Sequence, residues 1–334
     1  MSDHIERLKK YLSSRTLSPD YDSLTADAST REYYRIKRGE ATAIACVYSE
    51  PFDAAEHTYL DLTRLFLSAH LPVAEIYDVD GELGVIVQED LGDRVLRNVM
   101  LDADPDHRSW LLREAITLIA KIQTATPLAF EQNSIASKLK FDSEKLLWEL
   151  DFFKTHYFET YLKKPLSEAD NVALSAEFVE LANDLDGYAS VLCHRDFHAA
   201  NLMIDANECM RIIDHQDARI GSPAYDLVSL LLDRITDLPS PEWLAEKRRY
   251  FLDVRQTLGL PKIDEGEFAY QFRLQTLQRC LKAVGTFSYQ SAVREKTYFI
   301  PFIKPMFRIV LRSAGNLDRF PVLKEILAVQ VKAD

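Results

Sequence analysis

Several features that would assign a chain to other classes are missing from this sequence. None of its apolar runs approaches the roughly 20 residues that a membrane-spanning helix needs. The first residues, Met1–Arg7, do not resemble a secretory signal peptide, and we find no internal repeat or low-complexity tract. The 10 glycines and 47% hydrophobic content are typical of an ordinary folded enzyme. We therefore expect a cytoplasmic protein, and 334 residues are enough for two lobes with separate cores.

Cysteine is also scarce and widely spaced. The four cysteines are Cys46, Cys193, Cys209 and Cys280, and no two of them form a C-x-x-C pair. Three of them lie in apolar runs, which predicts buried, reduced thiols and argues against a zinc site.

Basic residues are outnumbered, with 40 lysines and arginines against 52 acidic residues and a formal net charge of −12. This balance argues against nucleic acid or an anionic membrane as a partner. It would favour a cationic small-molecule substrate, the alternative being that the acids keep the surface solvated, and it does not determine the oligomeric state.

What the sequence does contain is a motif of the form H-R-D-x-x-x-x-N, from His194 to Asn201, followed by Arg211-Ile212-Ile213-Asp214. In phosphoryl transfer a hydroxyl attacks the γ-phosphoryl group of ATP, and a carboxylate accepts or orients its proton. Asp196 suits that role. Mg²⁺ prefers a few hard oxygen ligands, and Asn201 and Asp214 can supply them.

The residues around the motif favour this interpretation over a chance turn. A strand-like run, residues 190–193, precedes the loop, and two further apolar runs joined by a polar turn follow it. That pattern predicts a short hairpin with the loop at one end and Asp214 at the other.

The residues that follow distinguish between kinase families. Asp214-His215-Gln216-Asp217-Ala218 is followed within a few residues by Gly221–Leu227, without the longer activation segment of protein kinases. The pattern resembles the aminoglycoside phosphotransferase/choline kinase superfamily. Within it, the chain is most similar to bacterial kinases that phosphorylate the anomeric hydroxyl of N-acetylmuramate and N-acetylglucosamine. Residues 28–35, 225–231 and 277–285 carry the closer similarity.

The resemblance implies an α+β, two-lobed, protein-kinase-like fold. Residues 1–89 would form a small, mainly antiparallel nucleotide-binding lobe, and residues 90–334 a helical catalytic and acceptor lobe. It also implies ATP as phosphoryl donor and Mg²⁺ as the metal.

Nucleotide contacts are expected from two segments. The predicted turn over the phosphates contains Ser29, Thr30 and Arg31, although it lacks the G-x-G-x-x-G of protein kinases. The linker between the lobes would present its backbone at Glu89 and Leu91 to the adenine.

Kinases of this architecture usually carry a lysine on the third strand, paired with a glutamate of a helix, and this chain departs from that pattern. The third predicted strand, residues 42–48, contains no lysine. Arg31, Arg35 and Lys37 are the nearby candidates, and the alternative is that they are solvated charges at a strand edge. Glu56, in the first turn of a helix predicted over residues 53–69, is either the glutamate of the usual ion pair or an acid that favours the helix dipole.

Acceptor contacts are predicted from His198, Asp217 and Arg279. The alternatives are that His198 orients Asp196 or stabilises the loop, and that Asp217 reaches a second metal. Arg279 and Lys282 are one helical turn apart, so they either pair with a muramate carboxylate or lie on a solvated face.

Three functions remain open at this point. The first is a kinase for an N-acetyl amino sugar. The second is an aminoglycoside or choline-type kinase, which needs an acidic acceptor pocket without a basic pair facing it. The third is a non-catalytic nucleotide-binding module, which the missing strand lysine leaves open.

Overall fold

The computed structural model describes residues 3–24 and 31–332, and these form two compact units. The first unit comprises Met1–Leu111, Leu128–Ile135 and Ala199–Asp217, and the second comprises Leu112–Pro127, Ala136–His198 and Ala218–Asp334. The two lobes expected from the sequence, residues 1–89 and 90–334, divide the chain differently. That division stays a prediction.

The strands are β1 (Tyr21–Leu24), β2 (Glu32–Arg38), β3 (Ala41–Val47), β4 (Ile76–Asp80), β5 (Val85–Glu89), β6 (Val191–Cys193), β7 (Leu202–Ile204), β8 (Met210–Ile212) and β9 (Arg219–Gly221). The helices are α1 (Asp3–Ser14), α2 (Thr58–Ser68), α3 (Leu96–Asp102), α4 (Pro105–Thr124), α5 (Thr126–Glu131), α6 (Ile135–Lys138), α7 (Ser143–Lys154), α8 (Glu168–Tyr188), α9 (Tyr225–Leu232), α10 (Pro241–Thr257), α11 (Glu265–Val293), α12 (Ile303–Leu317) and α13 (Pro321–Lys332). A π-helical turn, Thr155–Tyr161, follows α7, and 3₁₀ turns lie at Ala199–Asn201 and Thr297–Phe302.

The first unit is built on a five-stranded antiparallel sheet with strand order β1-β2-β3-β5-β4. Because side chains alternate along a strand, β3 has two different faces. Ala43, Ala45 and Val47 pack in a buried core with Leu8 and Tyr11 of α1. The opposite face carries the intervening residues of β3, among them Ile44 and Cys46.

The predicted hairpin after the H-R-D-x-x-x-x-N motif is present. Strands β7 and β8 pair antiparallel, with Leu202 opposite Ile212. The predicted strand before the motif is β6, and it pairs with β9, which the sequence did not reveal. The short β9 has too few residues to show a periodicity of its own.

The second unit is mainly helical, and its helices begin where local chemistry caps them. Side-chain oxygens accept hydrogen bonds from the first turns of α7, α8, α10 and α11, at Asp142, Ser167, Ser240 and Asp264 respectively. The α+β fold class, with an antiparallel sheet and a large helical part, is therefore confirmed.

The predicted start of α2 was wrong. The helix begins at Thr58, and residues 54–56 form a turn. The Asp53 carboxylate accepts a hydrogen bond from Ala55 N at 2.8 Å, and the Asp53 carbonyl accepts one from Glu56 N at 3.3 Å. Such local side-chain bonding competes with helix formation. Glu56 consequently precedes the helix and does not lie in its first turn.

All four cysteines are free, and Cys46, Cys193 and Cys280 are buried whereas Cys209 is exposed. This agrees with the prediction of three buried thiols. Within residues 3–24 and 31–332, no helix has the length and apolar character needed to cross a membrane.

Helices α7 and α11 approach each other closely at a glycine. A Cβ atom on Gly285 would lie 2.7 Å from Phe153 Cα and 3.0 Å from Phe153 N. A backbone cannot give way as a flexible side chain does, so this position accepts only glycine without a shift of one helix.

We expect Gly285→Ala to lower the free energy of unfolding by about 1–3 kcal/mol, the usual cost of overpacking. Gly187→Ala in α8 is the matched control, because no neighbouring atom lies within 4 Å of its Cβ position. Urea unfolding of both variants checks this. Equal stability of the two would show that the helices can separate freely.

Candidate active site

In the second unit, the loop after β6 is held by a buried carboxylate. Asp226 Oδ2 accepts a hydrogen bond from His194 N at 2.7 Å, and Oδ1 accepts one from Arg195 N at 3.0 Å. Asp226 lies in the first turn of α9, at a position from which an acid can cap its own helix. Its carboxylate turns to the loop instead, so Asp226 satisfies two backbone donors of the motif.

This contact fixes an unusual backbone conformation. Arg195 has φ of 86°, in the left-handed region that residues with a Cβ atom rarely adopt. The Asp226 hydrogen bonds hold the backbone on either side of the His194 α-carbon, directly before the strained residue. The following residue, Asp196, therefore leaves the strand in a fixed direction.

Asp196 is surrounded by positive charge. Its Oδ1 lies 3.2 Å from Arg279 Nη2 and 3.3 Å from Lys282 Nζ, and its Oδ2 lies 3.7 Å from Arg195 Nη1. Burial alone would raise the pKa of the Asp196 carboxyl, but Lys282, Arg279 and Arg195 lower it well below its usual range. Asp196 is consequently ionised at neutral pH and is a weak base.

The two cations come from a polar stripe on the otherwise buried helix α11. Arg279 Nε donates to Ser229 Oγ at 2.9 Å, and Gln278 Nε2 donates to the buried Glu149 at 2.8 Å. Gln275 Nε2 donates in turn to Gln278 Oε1 at 3.0 Å. These bonds fix the helix face from which Arg279 reaches Asp196.

Ser229, Gln275 and Gln278 were not predicted as part of the site. A signal was present, since glutamines spaced at helical intervals interrupt an apolar helix. The predicted substrate residue His198 belongs to the same loop, where its N–H donates to the Asp196 carbonyl at 3.0 Å.

In the first unit, the two candidate metal ligands are neighbours. Asn201 Nδ2 donates to Asp214 Oδ2 at 3.2 Å, and Gln216 Nε2 donates to Asp214 Oδ1 at 2.8 Å. The Asp214 side chain is 43% exposed. A carboxylate and an amide oxygen open to solvent suit Mg²⁺, which usually keeps waters or phosphate oxygens as its remaining ligands.

The residue after Asp214 anchors it to helix α2. The His215 ring stacks on Phe66 at a centroid distance of 5.1 Å, and His215 Nε2 lies 2.8 Å from Thr63 Oγ1. Asp214 itself has φ of 63°. The buried imidazole therefore holds this strained residue in place beside α2.

The three cation candidates have different surroundings. Arg35 forms a fork with Asp90 at 2.7 Å and Asp93 at 2.8 Å, so the geometry favours a structural role in the linker. Lys37 is exposed and lies 3.8 Å from Asp20. Arg31 is the one whose guanidinium faces Asp214, with 3.9 Å between Nη2 and Oδ1.

The linker predicted to hold the adenine is also fixed by ion pairs. Arg211 donates to both carboxylate oxygens of Glu89, at 2.9 and 2.5 Å, and to Asp205 at 3.0 Å. Leu91 is buried. The side chain of Glu89 is thus a structural partner of Arg211. The adenine contact predicted for Glu89 involves only its backbone.

A cavity of about 380 Å³ lies within the first unit. Arg31, Gln216 and the predicted Glu56 line it, together with the aromatic residues Tyr48, Phe52 and Tyr59. Glu56 therefore lies at the candidate site although it is not part of α2.

The remaining predicted residues divide as follows. Ser29 and Thr30 lie outside the described residues. Asn201, Asp214 and Asp217 belong to the first unit, whereas Asp196, His198 and Arg279 belong to the second.

Fold and motif define a kinase-like phosphotransferase, and comparison with known proteins agrees. Residues 20–263 match the phosphotransferase enzyme family, and the chain belongs to that family. This confirms the prediction of an ATP-dependent kinase with a hydroxyl group as acceptor.

Relatives extend over nearly the whole chain. An N-acetylmuramate/N-acetylglucosamine kinase of Neisseria meningitidis serogroup B is 28% identical over 330 residues, covering 96% of this chain and 95% of the relative. A kinase of the same name from Pseudomonas aeruginosa is 25% identical, with 91% and 86% covered. The choline kinase LicA from Streptococcus pneumoniae shares the fold, with a TM-score of 0.58 at 14% identity and coverage of 93% and 100%.

We expect Asp226→Ala to remove the acceptor of two backbone N–H groups, one buried and one partly buried, at a cost of about 1–3 kcal/mol each. The melting temperature should fall by several degrees. Asp237→Ala removes an exposed carboxylate shortly after α9 and should leave it unchanged. An unaltered melting temperature for Asp226→Ala would show that the loop conformation does not depend on this residue.

Proposed function

We propose that the chain transfers the γ-phosphoryl group of ATP to the anomeric hydroxyl of an N-acetyl amino sugar, with N-acetylmuramate and N-acetylglucosamine as acceptors. The products are the sugar 1-phosphate, ADP and a proton. The names of the relatives support the acceptor class, and the charge around Asp196 supports it independently.

The observation that carries this proposal is the basic pair on α11. Arg279 and Lys282 both lie within 3.3 Å of Asp196 Oδ1. Charged groups this deeply buried are weakly screened by salt. The basic pair would repel a polycationic aminoglycoside or the quaternary ammonium of choline. It would not repel a neutral sugar, and it would attract the carboxylate of N-acetylmuramate.

The anomeric position rests on the sequence resemblance, and Asp196 is compatible with it. An effective general base has a pKa near the operating pH, so the acidic Asp196 carboxylate would orient the hydroxyl more than it would remove its proton early. The anomeric hydroxyl of a reducing sugar is more acidic than other sugar hydroxyls, because the ring oxygen withdraws electron density from that carbon. Asp196 would orient this hydroxyl and accept its proton late, as suits a loose transition state.

Asn201 and Asp214 are the residues that would hold Mg²⁺. The metal supplies charge neutralisation of the phosphate oxygens when it is bound. Gln216 keeps the Asp214 carboxylate oriented through its hydrogen bond, and His215 keeps its backbone in place.

The nucleotide and the sugar would take further contacts from predicted residues. Ser29 and Thr30 would bind phosphate oxygens, and the backbone at Glu89 and Leu91 would bind adenine. His198 and Asp217 would contribute to the sugar site, and these assignments rest on the sequence.

A non-catalytic nucleotide-binding module is the weaker alternative. It would not need a carboxylate held by three cations in a strained loop, because binding of a nucleotide places no demand on an acceptor-side base.

Phosphorus NMR of the reaction products tests the proposal. With ATP and Mg²⁺, we expect N-acetylglucosamine and N-acetylmuramate to give acid-labile sugar 1-phosphates, and kanamycin and choline to give no product. Asp196→Asn serves as the control and should lose about 10²–10⁴-fold in turnover. A sugar 6-phosphate would refute the position, and turnover of the cationic acceptors alone would refute the acceptor class.

A further inference from the structure

Kinases of this architecture usually carry a lysine on the third strand. Strand β3 of this chain contains no basic residue. The residue on its site-facing side is Cys46, which is paired with Tyr33 of β2. Cys46 is buried, and its surroundings include Tyr33, Tyr48 and the Arg31 guanidinium. A positive charge is therefore present at this place, but it comes from the residue that precedes β2.

Arg31 is held there by aromatic rings. Its guanidinium carbon lies 5.6 Å from the centroid of the Tyr48 ring and 5.9 Å from that of Tyr33. Both distances are within the range of a cation–π contact. The side chain is 18% exposed. Two tyrosines thus restrict the long arginine side chain, as a helix glutamate restricts the lysine in protein kinases.

The guanidinium lines the cavity, and the candidate metal ligand lies next to the guanidinium. Arg31 Nη2 lies 3.9 Å from Asp214 Oδ1, and Gln216, which donates to that same oxygen, lines the 380 Å³ cavity with Arg31. The first turn of α2 also lines the cavity, at Thr58 and Tyr59. A phosphate group placed beside a metal on Asp214 would be within reach of Arg31.

We propose that Arg31 is the cation that binds the phosphate chain of the nucleotide, in place of a lysine on β3. This rests on the proposed kinase function, because it takes Asp214 as the metal-binding residue. Arg35 is less suited, since Asp90 and Asp93 occupy its guanidinium, and Lys37 lies at the exposed end of β2. The planar guanidinium can make two parallel hydrogen bonds to phosphate oxygens, which an ammonium cannot.

Calorimetric titration of the purified full chain with ATP and with adenosine, in the presence of Mg²⁺, tests this inference. For Arg31→Met we expect the dissociation constant for ATP to rise about tenfold to a hundredfold, the usual range for a lost charge-assisted hydrogen bond. Binding of adenosine should not change. Arg31→Lys should give an intermediate loss, because it keeps the charge without the fork.

Lys37→Met is the matched control, since it removes a positive charge from β2, the strand that Arg31 precedes, and it should bind ATP as the wild type does. The inference is overturned if Arg31→Met binds ATP normally, or if ATP and adenosine weaken equally, which would indicate a structural role. Melting temperatures of all variants establish that each is folded. Failure of the wild-type chain to bind ATP at all would instead overturn the proposed function.

Discussion

The arrangement on which this account depends is a carboxylate held among cations. Asp196 is the only acid within the H-R-D-x-x-x-x-N motif, and Arg279 and Lys282 approach the same oxygen of its carboxylate. A buried pair of this kind is costly unless the charges are well compensated. The opposite charges compensate one another here, and Ser229 accepts a further hydrogen bond from Arg279. The glutamines of α11 bind Glu149 and each other on the same helix.

The motif was readable from the sequence because its chemistry is local. Asp196, Asn201 and Asp214 have a characteristic spacing, and the hairpin between the last two was predicted from apolar runs around a polar turn. The cap of α10, in which Ser240 precedes Pro241, is local in the same way. These features depend on neighbours along the chain, which the sequence displays directly.

Other features depend on contacts between distant residues, and the sequence left them open or misjudged them. Nothing local distinguishes Arg31 from Arg35, because the difference is that Asp90 and Asp93 fold back onto Arg35. Asp226 looked like a helix cap, since the two backbone N–H groups that it binds are about 30 residues away. Glu56 was placed in a helix because the turn formed by Asp53 has no periodicity.

The central claim is that the basic pair beside Asp196 selects the charge of the acceptor. The most direct measurement is kcat/KM of Lys282→Met for N-acetylmuramate and for N-acetylglucosamine, with the exposed Lys121→Met as control. If Lys282 attracts the acceptor carboxylate, the preference for N-acetylmuramate should fall by about tenfold or more, the effect of one lost charge-assisted contact. An equal loss for both sugars would contradict the claim, because it would mean that the cation serves Asp196 and not the acceptor.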